Sequence, residues 1–190
     1  MKKHIRNAVF AGFAVVAMFG NCAITVPSTY DEATGKWIGN VDELTNALHT
    51  AAAGCVIYLE KGEYDISFLS DNAAPMRVSA KDGGSLLSMG KKNMRLAGLT
   101  GKPEDVVITA KNSNHRILTM SASGTELHGV TISGGRALAS NASTYKCQTG
   151  GGVYITDASV IISNCVFTGN SAAVRGGAVA AIDNRKGIVY

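Results

Sequence analysis

The chain has 190 residues, of which 17% are charged, 46% apolar and 6% aromatic. So apolar and lightly charged a composition argues against an intrinsically disordered chain. The formal net charge is +4, but three of the 18 basic residues lie in the first six positions, which leaves 15 basic against 14 acidic residues elsewhere. Because this nearly neutral remainder carries no basic cluster, we expect no nucleic-acid partner.

The N-terminus has the pattern of a secretory signal peptide. Lys2, Lys3 and Arg6 precede an uncharged, mostly apolar stretch over residues 8–20, which is too short to span a bilayer as a helix. The sequence therefore predicts a signal peptide over residues 1–23 and an exported protein.

The cysteines leave several alternatives open. Lipidation of Cys22 is an alternative to simple removal of the signal peptide. Export to an oxidising compartment favours disulfides, but Cys55, Cys147 and Cys165 form an odd set. The sequence leaves open whether Cys147 and Cys165 pair, because the spacing defines no disulfide framework.

Residues 24–84 are predicted to form an N-terminal region with a short amphipathic helix. Leu44 and Leu48 share one helical face. We expect Asp42 to cap the start of this helix and Gly54 to occupy the C′ position after it. A β-branched, apolar strand follows directly.

Residues 85–190 contain a repeat. Short apolar runs alternate with Gly, Asn and Ser, and apolar residues recur in the same order in four successive units. The predicted columns are Leu87 with Leu118, Val153 and Val179; Met89 with Met120, Ile155 and Ala181; Leu96 with Leu127, Ile162 and Ile188; Leu99 with Val130 and Cys165; and Ile132 with Phe167. Only the spacers change length, the largest insertion lying around Arg136 to Gln148, as expected if loops absorb insertions.

The repeat predicts that each unit is one coil of a β-solenoid, stacked about 4.8 Å from the next. Alternation along the strand at Val153 to Thr156 predicts that Val153 and Ile155 point inward, whereas Tyr154 and Thr156 point outward. The alternative is an ordinary β-sandwich with accidental spacing.

Two short motifs resemble the repeats of polymorphic outer-membrane proteins, which carry a GGA-I/V start and an F-x-x-N signature. The matching residues are Gly176, Gly177, Ala178 and Val179 for the first motif, and Phe167 and Asn170 for the second. We interpret Phe167 as a core residue and Asn170 as a bend residue that hydrogen-bonds neighbouring backbone.

The wider chain resembles the right-handed parallel β-helices of the pectate-lyase-like superfamily. Residues 41–66 resemble their N-terminal helix and strand, in which the helix covers the open end of the stack. The resemblance implies an all-β fold, a right-handed parallel β-helix (solenoid) with a short N-terminal capping helix. It also implies a location at the cell outer membrane, the cell surface or outside the cell.

The coil pattern continues to Tyr190 without a cap. We therefore expect the chain to be the N-terminal part of a longer protein. The alternative is a short protein that self-associates through its uncapped C-terminal coil, since open strand edges invite association.

One pair of carboxylates stands out as a candidate metal site. The step from Asp157 to Asp183 equals the step from Val153 to Val179 that aligns their coils, so we expect the two carboxylates at equivalent bends. Stacked carboxylates repel each other unless a cation or a base offsets their charge. The pair therefore predicts a Ca²⁺ site. The alternative is that Asp occurs at both positions because it suits the turn after a strand.

The sequence predicts no other cofactor and no catalytic residue. We interpret His128 as an outward-pointing turn residue.

These features predict an exported, non-enzymatic β-helix, adhesin-like or a surface-displayed passenger domain. It would bind a carbohydrate or a host or cell-surface ligand through its outer faces and the loop around Arg136 to Gln148. The alternative is the N-terminal part of a secreted polysaccharide lyase or glycoside hydrolase whose catalytic coils lie beyond Tyr190. A third hypothesis is an envelope protein that joins end to end with copies of itself.

Overall fold

The computed structural model describes residues 22–70, 85–111, 113–138, 148–182 and 188–189. These residues form mostly β-strands and one α-helix, α1 (Val41–Thr50), with 3-10 turns at Ser67–Ser70 and Pro103–Asp105. The strands are β1 (Ala23–Val26), β2 (Ser28–Asp31), β3 (Lys36–Gly39), β4 (Val56–Leu59), β5 (Gly62–Asp65), β6 (Ser85–Met89), β7 (Arg95–Gly98), β8 (Val106–Thr109), β9 (Arg116–Met120), β10 (Thr125–His128), β11 (Thr131–Ser133), β12 (Arg136–Ala137), β13 (Val153–Thr156), β14 (Val160–Ser163), β15 (Val166–Thr168), β16 (Ser171–Ala172), β17 (Val179–Ile182) and β18 (Ile188–Val189). Within these segments no helix is both long and apolar enough to cross a membrane.

Three sheets contain nearly all of the strands. Sheet 1 has the order β1-β4-β7-β10-β14-β18, sheet 2 the order β15-β11-β8-β5-β3-β2, and sheet 3 the order β17-β13-β9-β6. From β4 onward the chain passes from sheet 1 to sheet 2 to sheet 3 and returns to sheet 1, one strand further along each time. The short β12 and β16 pair with each other between sheets 2 and 3. Apart from the β2–β3 hairpin, the strand pairs of these sheets are parallel.

The strand pairs confirm most of the predicted columns. In sheet 3, Leu87 pairs with Leu118, Leu118 with Val153, and Val153 with Val179. In sheet 1, Leu96 pairs with Leu127 and Leu127 with Ile162, and in sheet 2 Ile132 pairs with Phe167. The buried Leu, Ile, Met and Val side chains of these columns form one continuous core.

The predicted column that joins Leu99 to Val130 is wrong. Leu99 is 52% exposed, and Val106 takes the buried position instead. Val107 pairs with Thr131, which aligns Val106 with Val130. Fewer residues separate paired positions in sheet 2 than in sheet 1. The reason is that seven residues connect β7 to β8, whereas two residues connect β10 to β11. The extra residues carry Leu99 out of the core.

The predicted pairing of Ile162 with Ile188 is also wrong. Ile188 pairs with Val160, and Ile161 with Val189. More residues separate β14 from its partner β18 in sheet 1 than separate β13 from its partner β17 in sheet 3. The reason is that five residues connect β17 to β18, whereas three connect β13 to β14. The offset that aligns the β13 and β17 strands in sheet 3 therefore does not hold in sheet 1.

Helix α1 covers the core at the N-terminal strands, as expected for a capping helix. Leu44 and Leu48 are buried, and α1 packs against β1, β4 and β6. The cap residue differs from the prediction, because the Asn40 side chain accepts a hydrogen bond from the Glu43 backbone N–H at 3.0 Å. Asp42 lies inside the first turn, where its charge favours the helix dipole. Gly54 has a φ of +81° but lies beyond the C-cap, Ala51, and not at C′.

The outer side of sheet 3 is buried more deeply than the predicted alternation suggests. Tyr154 lies on the strand face opposite Val153 and Ile155, yet it is only 2% exposed. Its ring packs under the Arg116 guanidinium group, whose central carbon lies 4.3 Å from the ring centroid. This cation–π contact lies at a buried outward position that the sequence pattern alone assigns to solvent.

Candidate functional site

Cys22 and Cys55 form a disulfide, a pair that the sequence did not indicate. A sulfur in a disulfide cannot also form the thioether of a lipid anchor, so the lipidation prediction for Cys22 conflicts with this bond. Cys165 is a free thiol, and burial raises its pKa. Cys147 lies outside the described residues.

Asn170 makes two hydrogen bonds to the backbone beside β11. Its Oδ1 accepts from the Gly135 N–H at 2.9 Å, and its Nδ2 donates to the Ile132 carbonyl at 2.8 Å. These contacts join the end of β15 to the end of its neighbour in sheet 2. Phe167 is half-buried and packs against the core from β15, the outermost described strand of that sheet.

The glycine motif lies where backbones of neighbouring strands approach closely. The Gly152 N–H lies 3.0 Å from the carbonyl oxygens of Gly177 and Ala178, and the Gly151 N–H donates to the Gly176 carbonyl at 3.2 Å. A Cβ atom at Gly151 would overlap with a backbone carbonyl oxygen of β16, and Gly176 has a φ of +58°. Close backbone packing and turn geometry therefore explain why glycine occupies these positions.

The candidate metal site is only half described. Asp157 is exposed in a turn with a φ of +48°, and Asp183 lies outside the described residues. The preceding positions keep the expected alignment, because Thr156 pairs with Ile182. Within the residues that the structure does describe, no three His, Cys, Asp or Glu side chains gather as a metal site would require.

Two rows of side chains run across the outer face of sheet 1. The inward-facing neighbours on the same strands, such as Leu96 and Leu127, are in the core, so the alternate positions face outward. The ion-pair row consists of Val56, Arg95, Glu126 and Ile161, and the histidine row consists of Tyr58, Ala97, His128 and Ser163. Neighbouring side chains in a row are on strands about 4.8 Å apart.

Both rows contain polar contacts between adjacent strands. The Arg95 Nε atom lies 3.5 Å from Glu126 Oε2, and His128 Nδ1 lies 2.9 Å from Ser163 Oγ. Arg95 and Glu126 have side chains 35% and 27% exposed, while Ile161 is 39% exposed. The face therefore presents hydrogen-bond donors, acceptors and apolar surface side by side.

The outer face of sheet 2 has a different, more self-contained charge cluster. Lys111 Nζ contacts Asp65 Oδ2 at 2.7 Å and Glu63 Oε1 at 3.5 Å. Burial raises the pKa of Asp65, but the hydrogen bonds from Lys111 and Ser67 outweigh it and hold the pKa below its usual value. The hydrogen bond with Asp65 raises the pKa of Lys111. This cluster has two carboxylates and one ammonium group and so keeps a net negative charge, unlike the one-to-one Arg95–Glu126 pair of sheet 1.

The comparisons with protein-family models, curated proteins and solved structures give no match to this chain.

The two rows on sheet 1 are not among the sequence predictions, although the sequence contains a signal for them. The offsets that align Leu96 with Leu127 and Leu127 with Ile162 also place outward residues side by side, Arg95 beside Glu126 and His128 beside Ser163. His128 lies at the end of β10 and not in a turn, and a single histidine in the sequence does not reveal that position. Its partner becomes evident only when the outward positions are aligned with the same offsets as the inward ones.

Proposed function

We propose that the chain is an exported right-handed parallel β-helix that acts as an adhesin-like binding scaffold. Its ligand is a neutral carbohydrate that lies on the outer face of sheet 1. The observation that carries the proposal is the pair of aligned rows on that face, with Arg95 beside Glu126 and His128 beside Ser163.

The strand order supports the β-helix part of the proposal. A chain that visits three parallel sheets in rotation, and advances by one strand each time, follows the path of a β-helix. Crossover connections between parallel strands are almost always right-handed, which favours the right-handed form. The signal-peptide pattern and the Cys22–Cys55 bond both favour export, because disulfides persist in oxidising compartments.

The chemistry of the two rows favours a polyhydroxylated ligand. The Arg95 guanidinium group supplies donors in a planar fork, and the Glu126 carboxylate supplies acceptors on the next strand. Tyr58 offers an aromatic ring with a polar tip. Since Arg95 and Glu126 carry opposite charges, the pair attracts neither cations nor anions strongly, which favours a neutral sugar over an acidic one.

The same rows favour binding over hydrolysis. Glycoside hydrolysis commonly requires two carboxyl groups on either side of the scissile bond, and the two rows contain one carboxylate, Glu126, which is already paired with Arg95. The rows therefore provide recognition chemistry.

The proposal is tested by titrating the protein with soluble polysaccharides: a β-glucan, a xylan and a galactan as neutral probes, and polygalacturonate as an acidic one. We expect binding to a neutral probe that falls at least tenfold in Arg95→Met and in Glu126→Gln. Lys102→Met and Glu104→Gln, which remove exposed charges before and within the Pro103–Asp105 turn, are the matched controls and should bind as the wild type does. The proposal is wrong if the wild type binds none of the neutral probes, or if Arg95→Met binds them unchanged.

A further inference from the structure

The disulfide partners lie side by side at the start of two neighbouring strands. Cys22 precedes β1 and Cys55 precedes β4, and the next residues, Ala23 and Val56, pair in sheet 1. The Cα atoms of the two cysteines are 4.4 Å apart. The Val56 N–H donates to the Cys22 carbonyl at 2.8 Å, so Cys22 also contributes its backbone to the sheet.

This position of Cys22 conflicts with a signal peptide that extends to residue 23. Cleavage there would remove one half of the disulfide and the first residue of β1, Ala23. It would leave Cys55, which is completely buried, as an unpaired thiol in the core beneath α1. The space that the Cys22 side chain fills beside Cys55 would then be empty.

We propose that the signal peptide is removed on the N-terminal side of Cys22, and that Cys22 and Cys55 are joined after export. The two thiols lose two protons and two electrons, and a protein or small-molecule disulfide of the export compartment accepts them and is reduced to two thiols. The disulfide fixes β1, the edge strand of sheet 1, against β4 at the end of the sheet that α1 packs against.

This reaction and lipidation compete for one atom. A thioether at the Cys22 sulfur prevents the disulfide, and the disulfide prevents the thioether. The proposal therefore assigns the mature protein a covalently fixed N-terminal strand in place of a lipid anchor. It rests on export alone and stands or falls independently of carbohydrate binding.

The test is to express the complete chain with its own N-terminus in a bacterium, recover the exported protein, and alkylate it in denaturant without reduction. Peptide mass mapping should find an N-terminus that lies after the basic residues Lys2, Lys3 and Arg6 and no later than Cys22, a peptide that contains Cys22 linked to one that contains Cys55, and alkylated Cys165. A first residue at position 23 or later, an uncleaved N-terminus, a lipid mass on Cys22, or alkylation of both Cys22 and Cys55 would overturn the proposal.

Two variants make the assignment specific. In Cys55→Ser, Cys22 should become alkylated without reduction, whereas in Cys165→Ser the linked peptide should remain. Because the alkylation is done in denaturant, every free thiol is accessible to the reagent, so burial alone cannot protect an unpaired cysteine in either variant. If Cys22 is still protected from alkylation in Cys55→Ser, its partner is a different cysteine and the proposal is wrong.

Discussion

Asn170 allows the structural interpretation of the F-x-x-N motif to be tested quantitatively. Replacing it with Ala removes two hydrogen bonds and leaves the Gly135 N–H and the Ile132 carbonyl without this partner. Each lost hydrogen bond with a buried partner costs about 1–3 kcal/mol. Asn170 itself is half-buried, so water can replace part of the loss, and we expect a total of about 2–3 kcal/mol.

In a chain of this size, 1 kcal/mol shifts Tm by about 2–4 °C, so Asn170→Ala should lower Tm by about 4–12 °C. Thermal unfolding followed by circular dichroism measures the shift. Thr168→Ala changes an exposed residue of the same strand end and should stay within about 0.5 kcal/mol of the wild type. A normal Tm for Asn170→Ala together with lost carbohydrate binding would refute the reasoning, because Asn170 would then belong to the ligand site.

Three further predictions concern packing and charge. Gly39→Ala should destabilise the protein by about 1–3 kcal/mol in urea unfolding, because the new Cβ would overlap with an aromatic ring of β5; a neutral result would show that this ring can move freely. Val106→Ala should lower the free energy of unfolding by about 2 kcal/mol and Leu99→Ala by less than about 0.5 kcal/mol. A larger effect for Leu99→Ala would indicate that Leu99, and not Val106, occupies the core position beside Val130. Lys111→Met should raise the pKa of Asp65 in an NMR titration, since Lys111 helps to lower it. A folded-state pKa below the unfolded value means that Asp65 stabilises the protein above about pH 4 and that this contribution is lost as the pH falls; an unchanged pKa in Lys111→Met would contradict the ion pair.

Much of the fold could be predicted because core columns impose strong constraints. A buried position in one strand must meet a buried position in the next, so Leu96, Leu127 and Ile162 reveal the register through their spacing alone. However, the number of residues between paired positions differs from one sheet to the next within the same repeat. Each connection between sheets has its own length, and for this reason Leu99 and Ile188 were placed incorrectly.

The other errors have separate causes. Asn40 and Asp42 are both good N-cap residues, and the sequence does not decide which one begins the helix. The signal-peptide pattern extends to Cys22, so the sequence does not indicate that Cys22 pairs with Cys55. Tyr154 is buried and contacts Arg116, which is distant in sequence, and strand alternation does not reveal such a neighbour.

The candidate site was less predictable than the fold. Outward positions tolerate many residue types, so they show no apolar periodicity by which a row can be recognised. Arg95 and Glu126 become a pair only after the register is known, and the same is true of His128 and Ser163. Residues 139–147, which form most of the Arg136–Gln148 loop that the sequence predicts as a binding region, lie outside the described residues.

The most direct test of the binding face is an NMR titration of the isotope-labelled protein with soluble oligosaccharides of the neutral β-glucan, xylan and galactan probes. We predict that the largest amide shift changes will occur at Arg95, Glu126, His128 and Ser163, on three successive strands of sheet 1. Shift changes confined to sheet 2 or to the Arg136–Gln148 loop, or no changes with any of the three neutral probes, would contradict the proposed binding face.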